Sequence, residues 1–338
     1  MKKRTGRVLG GRVRSAAPPF ACPSRPAFRR IAIVGSGAIG LYYGIRLAKG
    51  GADVRFLLRR DFAAARARGS LLLREKDATI ELKPARVFGS PAEMGPVDLV
   101  VVATKTTSNA DLPGILAPLV GPQTAILTLQ NGLGSDEFLA GLFGPSRVIG
   151  GLAFIASTRT GPGEVTCYHS HTVTLGEFGR PPAGRTHGLA AQFEAGGVKT
   201  RVVESLDSAR WHKLTWNVPF NGLSIAAGAT TDRICADPCL AAEARALMVE
   251  IQHAAAKLGH KIADRVLDLQ IDMTAKMGAY RPSSLIDFQE GRDVEVDAIW
   301  GEPLRRGEAA GAHMPRLSLL HALLRSLVAA RHAAAPPP

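Results

Sequence analysis

The sequence has little of what marks a membrane, secreted or metal-bound protein. No apolar run reaches the roughly 18 residues a membrane span needs. The most apolar stretch, Ile31 to Ala48, is broken by Gly35, Gly37, Gly40 and Arg46. Only four cysteines occur, Cys22, Cys167, Cys235 and Cys239. Of these only Cys235 and Cys239 lie close together, and neither a second pair nor a nearby histidine completes a zinc-type set. His169 and His171 would share one face of a strand, which leaves a metal reading open there. No secretory apolar core is present, so the expected compartment is the reducing cytoplasm.

Acidic residues are missing from one place in particular. Residues 1–30 hold nine lysines and arginines and no carboxylate, so nine of the +13 formal charges sit there and +4 remains for the rest. The same segment is rich in glycine and proline and poor in apolar residues, which predicts a disordered basic extension over residues 1–29. A transit peptide, a nucleic-acid arm and a dispensable or mis-assigned start all fit such a segment. The charge of the remainder is ordinary for a globular protein and gives no reason to expect a nucleic-acid partner.

What is present is a long globular chain. With 338 residues, 46% hydrophobic and 21% charged, it is large enough for two domains with substantial cores. The first half alternates strand and helix patterns. Arg30 to Val34 reads as a strand, followed by a helix to about Lys49 that Gly50-Gly51 ends, then a strand over Val54 to Leu58. Further strand runs are Leu71 to Leu73, Leu99 to Ala103, Ala125 to Leu129 and Val148 to Leu152, with helical patterns at Arg60 to Arg68 and Asp136 to Leu142. This alternation predicts an α/β fold: a Rossmann-type, doubly wound parallel sheet over residues 30–204. From Asp207 the texture becomes helical, clearest at Leu240 to Leu258 and Met314 to Ala330. Breaks are expected at Tyr280-Arg281-Pro282 and Gly301-Glu302-Pro303. An all-α domain is therefore expected over residues 205–332, with a cleft between the two.

Gly35-Ser36-Gly37-Ala38-Ile39-Gly40 fits G-x-G-x-x-G directly between the first strand and the first helix. In that setting the first glycine permits the turn, the second lets a pyrophosphate approach, and the third lets helix pack on strand. Free amides at the helix start attract the anion. An NAD enzyme usually carries an acidic residue after the second strand to hold the ribose hydroxyls. Here Arg59-Arg60 follow that strand, while Asp53 lies at its other end. A cation suits the extra 2′-phosphate, so the predicted cofactor is NADP(H); the competing reading of Arg59 is a solvated loop residue.

Three further segments look chemical. Gln130-Asn131-Gly132 follows a strand, at the carboxyl edge where open α/β sheets bind ligands. Lys213, Asn217 and Asn221 recur every four residues, which aligns a cation and two amides on one helix face. Ser283 to Asp287 runs on to Glu295 within Gly291-Arg292-Asp293-Val294-Glu295-Val296-Asp297.

With these four motifs in this order, residues 30–330 resemble the ketopantoate reductase (2-dehydropantoate 2-reductase) family. The resemblance implies Lys213 as the general acid for the keto oxygen and Glu295 as the residue that orients the substrate hydroxyl. It implies Asn217, Asn221 and Ser283 as substrate ligands, and Asn131, with Lys105 after the strand Leu99 to Ala103, near the nicotinamide end. It also makes a homodimer through the helical domain plausible. Elementary chemistry agrees: as hydride reaches a 2-oxo acid, charge develops on the keto oxygen, and a lysine in a partly dry cleft both stabilises it and supplies the proton. Without the resemblance, Lys213 reads as a surface lysine and Glu295 as a partner for Arg292.

The sequence departs from typical members at Ser284-Leu285-Ile286 and at Val294-Glu295-Val296. The expected reaction is therefore NADPH-dependent reduction of a 2-oxo acid, with ketopantoate the first substrate and another small 2-oxo acid the alternative. A non-catalytic NADP-binding redox sensor is the competing class, since the fold alone would permit it.

Overall fold

The computed structural model describes residues 26–334, apart from the side chains of 169–171 and 334. The tail up to residue 25 and the two-histidine reading at 169 and 171 therefore fall outside the described residues. Order begins before Arg30: Phe28, assigned to the extension, is buried, and its amide donates to Gln192 Oε1 at 2.9 Å while its carbonyl accepts from Gln192 Nε2 at 2.8 Å.

One ten-stranded sheet organises the first half. Its strands are β1 (Arg30–Val34), β2 (Asp53–Leu57), β3 (Leu71–Arg74), β4 (Thr79–Leu82), β5 (Arg86–Phe88), β6 (Val97–Val102), β7 (Val120–Thr128), β8 (Val148–Gly161), β9 (Glu164–Glu177) and β10 (Lys199–Val202). The order is β4-β3-β9-β8-β7-β6-β1-β2-β5, with β10 on β9. From β5 to β8 every pairing is parallel. These central strands are covered on both faces, which is why they read as unbroken apolar runs rather than alternating ones. Ile31, Ile33, Leu99 and Val101 pack on one face with Tyr43 and Phe193. Their sequence neighbours Ala32, Val34, Val100 and Val102 pack on the other with Leu112, Leu116 and Leu139. The covering helices are α1 (Ala38–Lys49), α2 (Phe62–Arg68), α3 (Pro91–Met94), α4 (Leu112–Leu116), α5 (Ser135–Phe143) and α6 (Gly184–Ala195).

The sheet is mixed, which corrects the expectation of a purely parallel one. β8 and β9 form a 14-residue antiparallel hairpin, and β3 with β4 joins its outer edge, so Leu71 to Leu73 lies far from the cofactor strands. Past Leu152, β8 turns from fully buried to half-exposed, and from Ala156 on its residues are mostly small or polar. That loss of apolar continuity hid its outer half in the sequence.

The second half is helical: α7 (Leu206–Ala227), α8 (Thr231–Ala236), α9 (Pro238–Lys257), α10 (Asp264–Ala275), α11 (Ser283–Gln289), α12 (Glu302–Ala309) and α13 (Pro315–Ala334). α7 starts where Ser205 Oγ accepts from the Ser208 amide at 3.2 Å. Its apolar face packs with Leu247, Ile251, Leu317 and Trp300 in one core. The break expected at Gly301-Glu302-Pro303 is not there. Asp297–Gly301 forms a π-helical turn that runs directly into α12; Pro303 has no N–H to give within this run, and the Ala298 carbonyl accepts from the Leu133 amide instead. Trp300 Nε1 donates to Val218 O at 2.9 Å and fixes this turn against α7. No helix among the described residues is long and apolar enough to cross a membrane.

Candidate active site

The glycine loop sits at the carboxyl edge of the sheet, where β1 lies between β2 and β6. Gly35 has φ +95°, and a Cβ there would stand 2.4 Å from Thr104 N, so the turn lies directly on the end of β6. At Gly40 a Cβ would meet Gly35 O at 2.1 Å, which shows how closely α1 approaches the loop. Gly37 is different: a Cβ there meets no atom within 4 Å. Its smallness is not demanded by the protein; it keeps space open in front of a helix start that has no side-chain cap and no acidic residue in its first turn. Ala38 and Ile39 line the same opening, while Ser36 Oγ donates to Leu57 O at 2.8 Å and ties the loop to β2. The cradle fits a dinucleotide diphosphate.

Beyond β2 the charge is positive. Arg59 is 61% exposed, lines the cleft, and reaches its one acidic neighbour, Asp111, only at 3.9 Å. Asp53 is turned to Arg86 at the opposite end of the strand. Asp61 is the carboxylate nearest to the arginine pair in sequence, and it is committed elsewhere: it is buried, accepting from Arg159 Nη1 at 3.0 Å and the Gly163 amide at 3.1 Å.

A cleft of about 2000 Å³ lies between sheet and helices, lined by Gly35 to Ile39, Arg59, Lys105, Asn131, Lys213, Asn217, Asn221, Ser283 and Glu295. Residues from four separate stretches of the chain thus meet in one space. Lys213 Nζ donates to Asn131 Oδ1 at 2.8 Å and to Ala153 O at 2.9 Å, and lies 5.2 Å from the centre of the Phe154 ring. Burial, with help from the Arg210 cation, pulls its pKa down to about 7, and Glu295 opposes the shift. Arg210 is itself buried against Asp136 and donates to Gln130 O at 3.3 Å, so the 130–132 loop is pinned to α7. On the loop's other side, Leu133 N donates to Ala298 O at 2.9 Å, and Gly132 (φ +79°) leaves room for that carbonyl.

Glu295 Oε1 accepts from the Thr106 amide at 2.9 Å, and not from Arg292, which pairs with Asp287 and Glu290. Burial raises the Glu295 carboxyl above its usual range, against the pull of the Thr106 amide and Lys105. Lys105 bonds to Asp287 at 2.8 Å and to Asp293 O at 2.5 Å, so the segment after β6 clasps the helical half at two points. Asn221 Oδ1 accepts from the Ser284 amide at 3.1 Å, and Asn217 makes no side-chain hydrogen bond among the described residues. Ser283 is exposed at the start of α11.

Residues 31–180 match the family described as ketopantoate reductase PanE/ApbA, and residues 205–328 match its C-terminal counterpart. The chain belongs to the ketopantoate reductase family. It is accordingly an oxidoreductase of the CH–OH class. A Nostoc relative, 2-dehydropantoate 2-reductase, is 37% identical over 88% of this chain and 95% of its own. The crystal structure of 2-dehydropantoate 2-reductase from Geobacter metallireducens is 43% identical with a TM-score of 0.85, covering 88% of this chain and 99% of that one. A Methylococcus capsulatus 2-dehydropantoate 2-reductase structure follows at 33% identity and TM-score 0.83, covering 89% and 97%.

For this family member the sequence reading missed Phe154, the Ala153 carbonyl, the Thr106 amide and the Arg210–Asp136 pair. Phe154 and Ala153 fall in the part of β8 that carries no strand signal. Thr106 contributes a backbone group, which no residue type advertises. Arg210 had one cue: it stands three residues before Lys213 on the same helix.

Proposed function

We propose that the protein reduces ketopantoate (2-dehydropantoate) to pantoate with NADPH, as a step of pantothenate biosynthesis. The observation that carries this reading is Lys213 held by two acceptors in a half-buried cleft, beside an open glycine cradle with Arg59 at its far end. The cradle residues Gly35 to Gly40 would hold the diphosphate and Arg59 the 2′-phosphate, with Lys105 and Asn131 toward the nicotinamide end. When bound, NADPH supplies the hydride. The chain's own residues do the rest. Asn131 Oδ1 and Ala153 O take two of the three N–H groups of Lys213, which leaves the third for the keto oxygen. With its pKa near 7 the ammonium is both charged enough to stabilise a developing alkoxide and acidic enough to release its proton there. Asn217, Asn221 and Ser283 would hold the carboxylate and carbonyl in line, and Glu295, its charge disfavoured by burial, would accept from or donate to the substrate hydroxyl. The likeness to relatives named 2-dehydropantoate 2-reductase supports the substrate.

The test is NADPH oxidation by the purified full chain with ketopantoate. A kcat/KM of about 10⁴ M⁻¹s⁻¹ or more is expected, with NADH at least tenfold poorer. Cofactor binding without turnover of any 2-oxo acid would overturn the proposal and favour a sensor.

A further inference from the structure

The sheet order lays the cleft out between two positive ends. β2, β1, β6, β7, β8, β9 and β10 stand side by side in that sequence, so Arg59, after β2, and β10 are separated by roughly 30 Å of sheet. The glycine cradle, Lys105 and Asn131 follow β1, β6 and β7, and the track assigned to the cofactor ends short of β8. Beyond it three strands run in register. Phe154 lies opposite Thr172 and Leu152 opposite Thr174, and these two threonines pair in turn with Lys199 and Arg201. Strand side chains alternate between faces, and Ala153, Val173, Leu175 and Val202 pack into the core on one of them. Phe154, Lys199 and Arg201 therefore share the other face, which lines the cleft. Two strand spacings, roughly 10 Å, separate the Lys199 backbone from that of Phe154, whose ring lies against Lys213.

Lys199 and Arg201 are exposed, and neither makes an ion pair among the described residues. Arg201 acts on α7 all the same: burial lowers the pKa of His212, the residue before Lys213, and the Arg201 cation lowers it further. Between residues 199 and 280 the lining holds Lys199, Arg201, Lys213, Lys261 and Lys276 against one carboxylate, Glu204. The cofactor's phosphates, placed toward β1 and β2, make no use of these charges. They do create a need for them, because a bound diphosphate and 2′-phosphate repel an incoming carboxylate.

We propose that Lys199 and Arg201 form a charged approach path that draws small carboxylate substrates toward Lys213 from the end of the cleft opposite Arg59. The inference rests on the reading of the site given above. Such a field raises the local concentration of an oppositely charged substrate by about 10–10³ and weakens steeply with salt. A purely structural reading also exists: β10 pairs with β9 alone, and charged side chains on an edge strand discourage pairing with other chains. That role predicts aggregation on their loss and no change in kcat/KM.

The experiment measures ketopantoate reduction by the full chain at saturating NADPH, native and Lys199→Gln/Arg201→Gln, at about 10 mM and about 150 mM NaCl, where the Debye length is about 30 Å and about 8 Å. At low salt the double variant should lose about fivefold or more in kcat/KM and keep kcat within about twofold; at high salt the kcat/KM gap should close to about twofold. Lys199→Arg/Arg201→Lys keeps both charges and should stay within about twofold of native throughout. A second readout needs neither cofactor nor turnover. Trp216 lines the cleft while Trp211 and Trp300 are 2% and 0% exposed, so iodide should quench the tryptophan fluorescence of the native chain about twofold more efficiently than that of the glutamine variant. Neutral acrylamide should quench both alike, which also checks that the variant is folded. A low-salt gap under about twofold, a gap that persists at high salt, a kcat loss as large as the kcat/KM loss, or equal iodide quenching would each overturn the path. No ketopantoate turnover by the native chain would sink the reading of the site instead, and the iodide comparison would still judge the path.

Discussion

Replacing Lys213 by methionine removes the cation and keeps a stem of similar length under Phe154. Proton transfer by a positioned side chain is worth about 10²–10⁴ in rate, and loss of one donor to a developing oxyanion costs about 10²–10³. One ammonium does both here, so the two effects overlap, and kcat should fall roughly 10³-fold or more. NADPH affinity should change by no more than about threefold, because the cradle is built by β1 and α1 and touches Lys213 at no point. The pH profile is the sharper readout. The acid must be protonated, and burial brings its pKa to about 7, so native kcat/KM should fall tenfold per unit as pH rises above that value. In Lys213→Met this limb should vanish. In Lys213→Arg it should leave the accessible range, since a guanidinium does not titrate there. Single-turnover NADPH oxidation followed between pH 5.5 and 9 gives all three profiles. If Lys213→Met keeps a tenth of native kcat, or keeps the same falling limb, another group is the acid.

The neighbours of Lys213 make further expectations. Phe154→Leu removes a ring that favours the ammonium; a cation–π contact of about 0.5–1 kcal/mol, at 1.36 kcal/mol per unit, should move the limb to lower pH by about half a unit, read from the same profile. Arg59→Ala should weaken NADPH binding about 10–100-fold and NADH little, because only the former carries the 2′-phosphate; equal weakening in fluorescence titrations would return Arg59 to the solvated loop. Gly37→Ala should keep its melting temperature and lose NADPH affinity, whereas Gly40→Ala, whose Cβ would stand 2.1 Å from Gly35 O, should lose stability first; equal melting losses in both would refute the distinction. Arg210→Met strands the buried Asp136 carboxylate, and a cost of about 3–5 kcal/mol in urea unfolding is expected.

How much of this was legible follows from what each contact is made of. The cofactor half was readable because doubly covered parallel strands leave unbroken apolar runs, and because Gly35 and Gly40 stand where a Cβ would strike backbone while Gly37 completes the spacing. The alignment of Lys213, Asn217 and Asn221 followed from helical periodicity alone. The outer hairpin was illegible: from Ala156 to Gly161 β8 is part-buried to exposed and mostly small or polar, and strand pairing supplies what side-chain burial does not. The π turn at Asp297–Gly301 was misread as a break, since glycine and proline signal interruption unless a tertiary contact such as Trp300 Nε1 to Val218 O holds the turn in place. Asn221 makes a contact that no local pattern encodes: its carbonyl oxygen accepts from the Ser284 amide, 63 residues away.

The contacts that cross the cleft fall into two kinds, and their difference bears on how it opens. Arg210 and Asp136, 4% and 2% exposed, lock the 130–132 loop to α7, so Asn131 and Lys213 move as one body with the sheet's edge. The Lys105–Asp287 pair is more accessible: the lysine and aspartate are 30% and 16% exposed, and water competes for the contact. Separation of the halves should therefore begin at the segment after β6, where breaking a partly solvated ion pair costs little, and spare the buried pair, where stranding a charge costs several kcal/mol. On the proposed reading, Lys213 then keeps its register with the glycine cradle throughout, while Lys105 and Asp287 let go first.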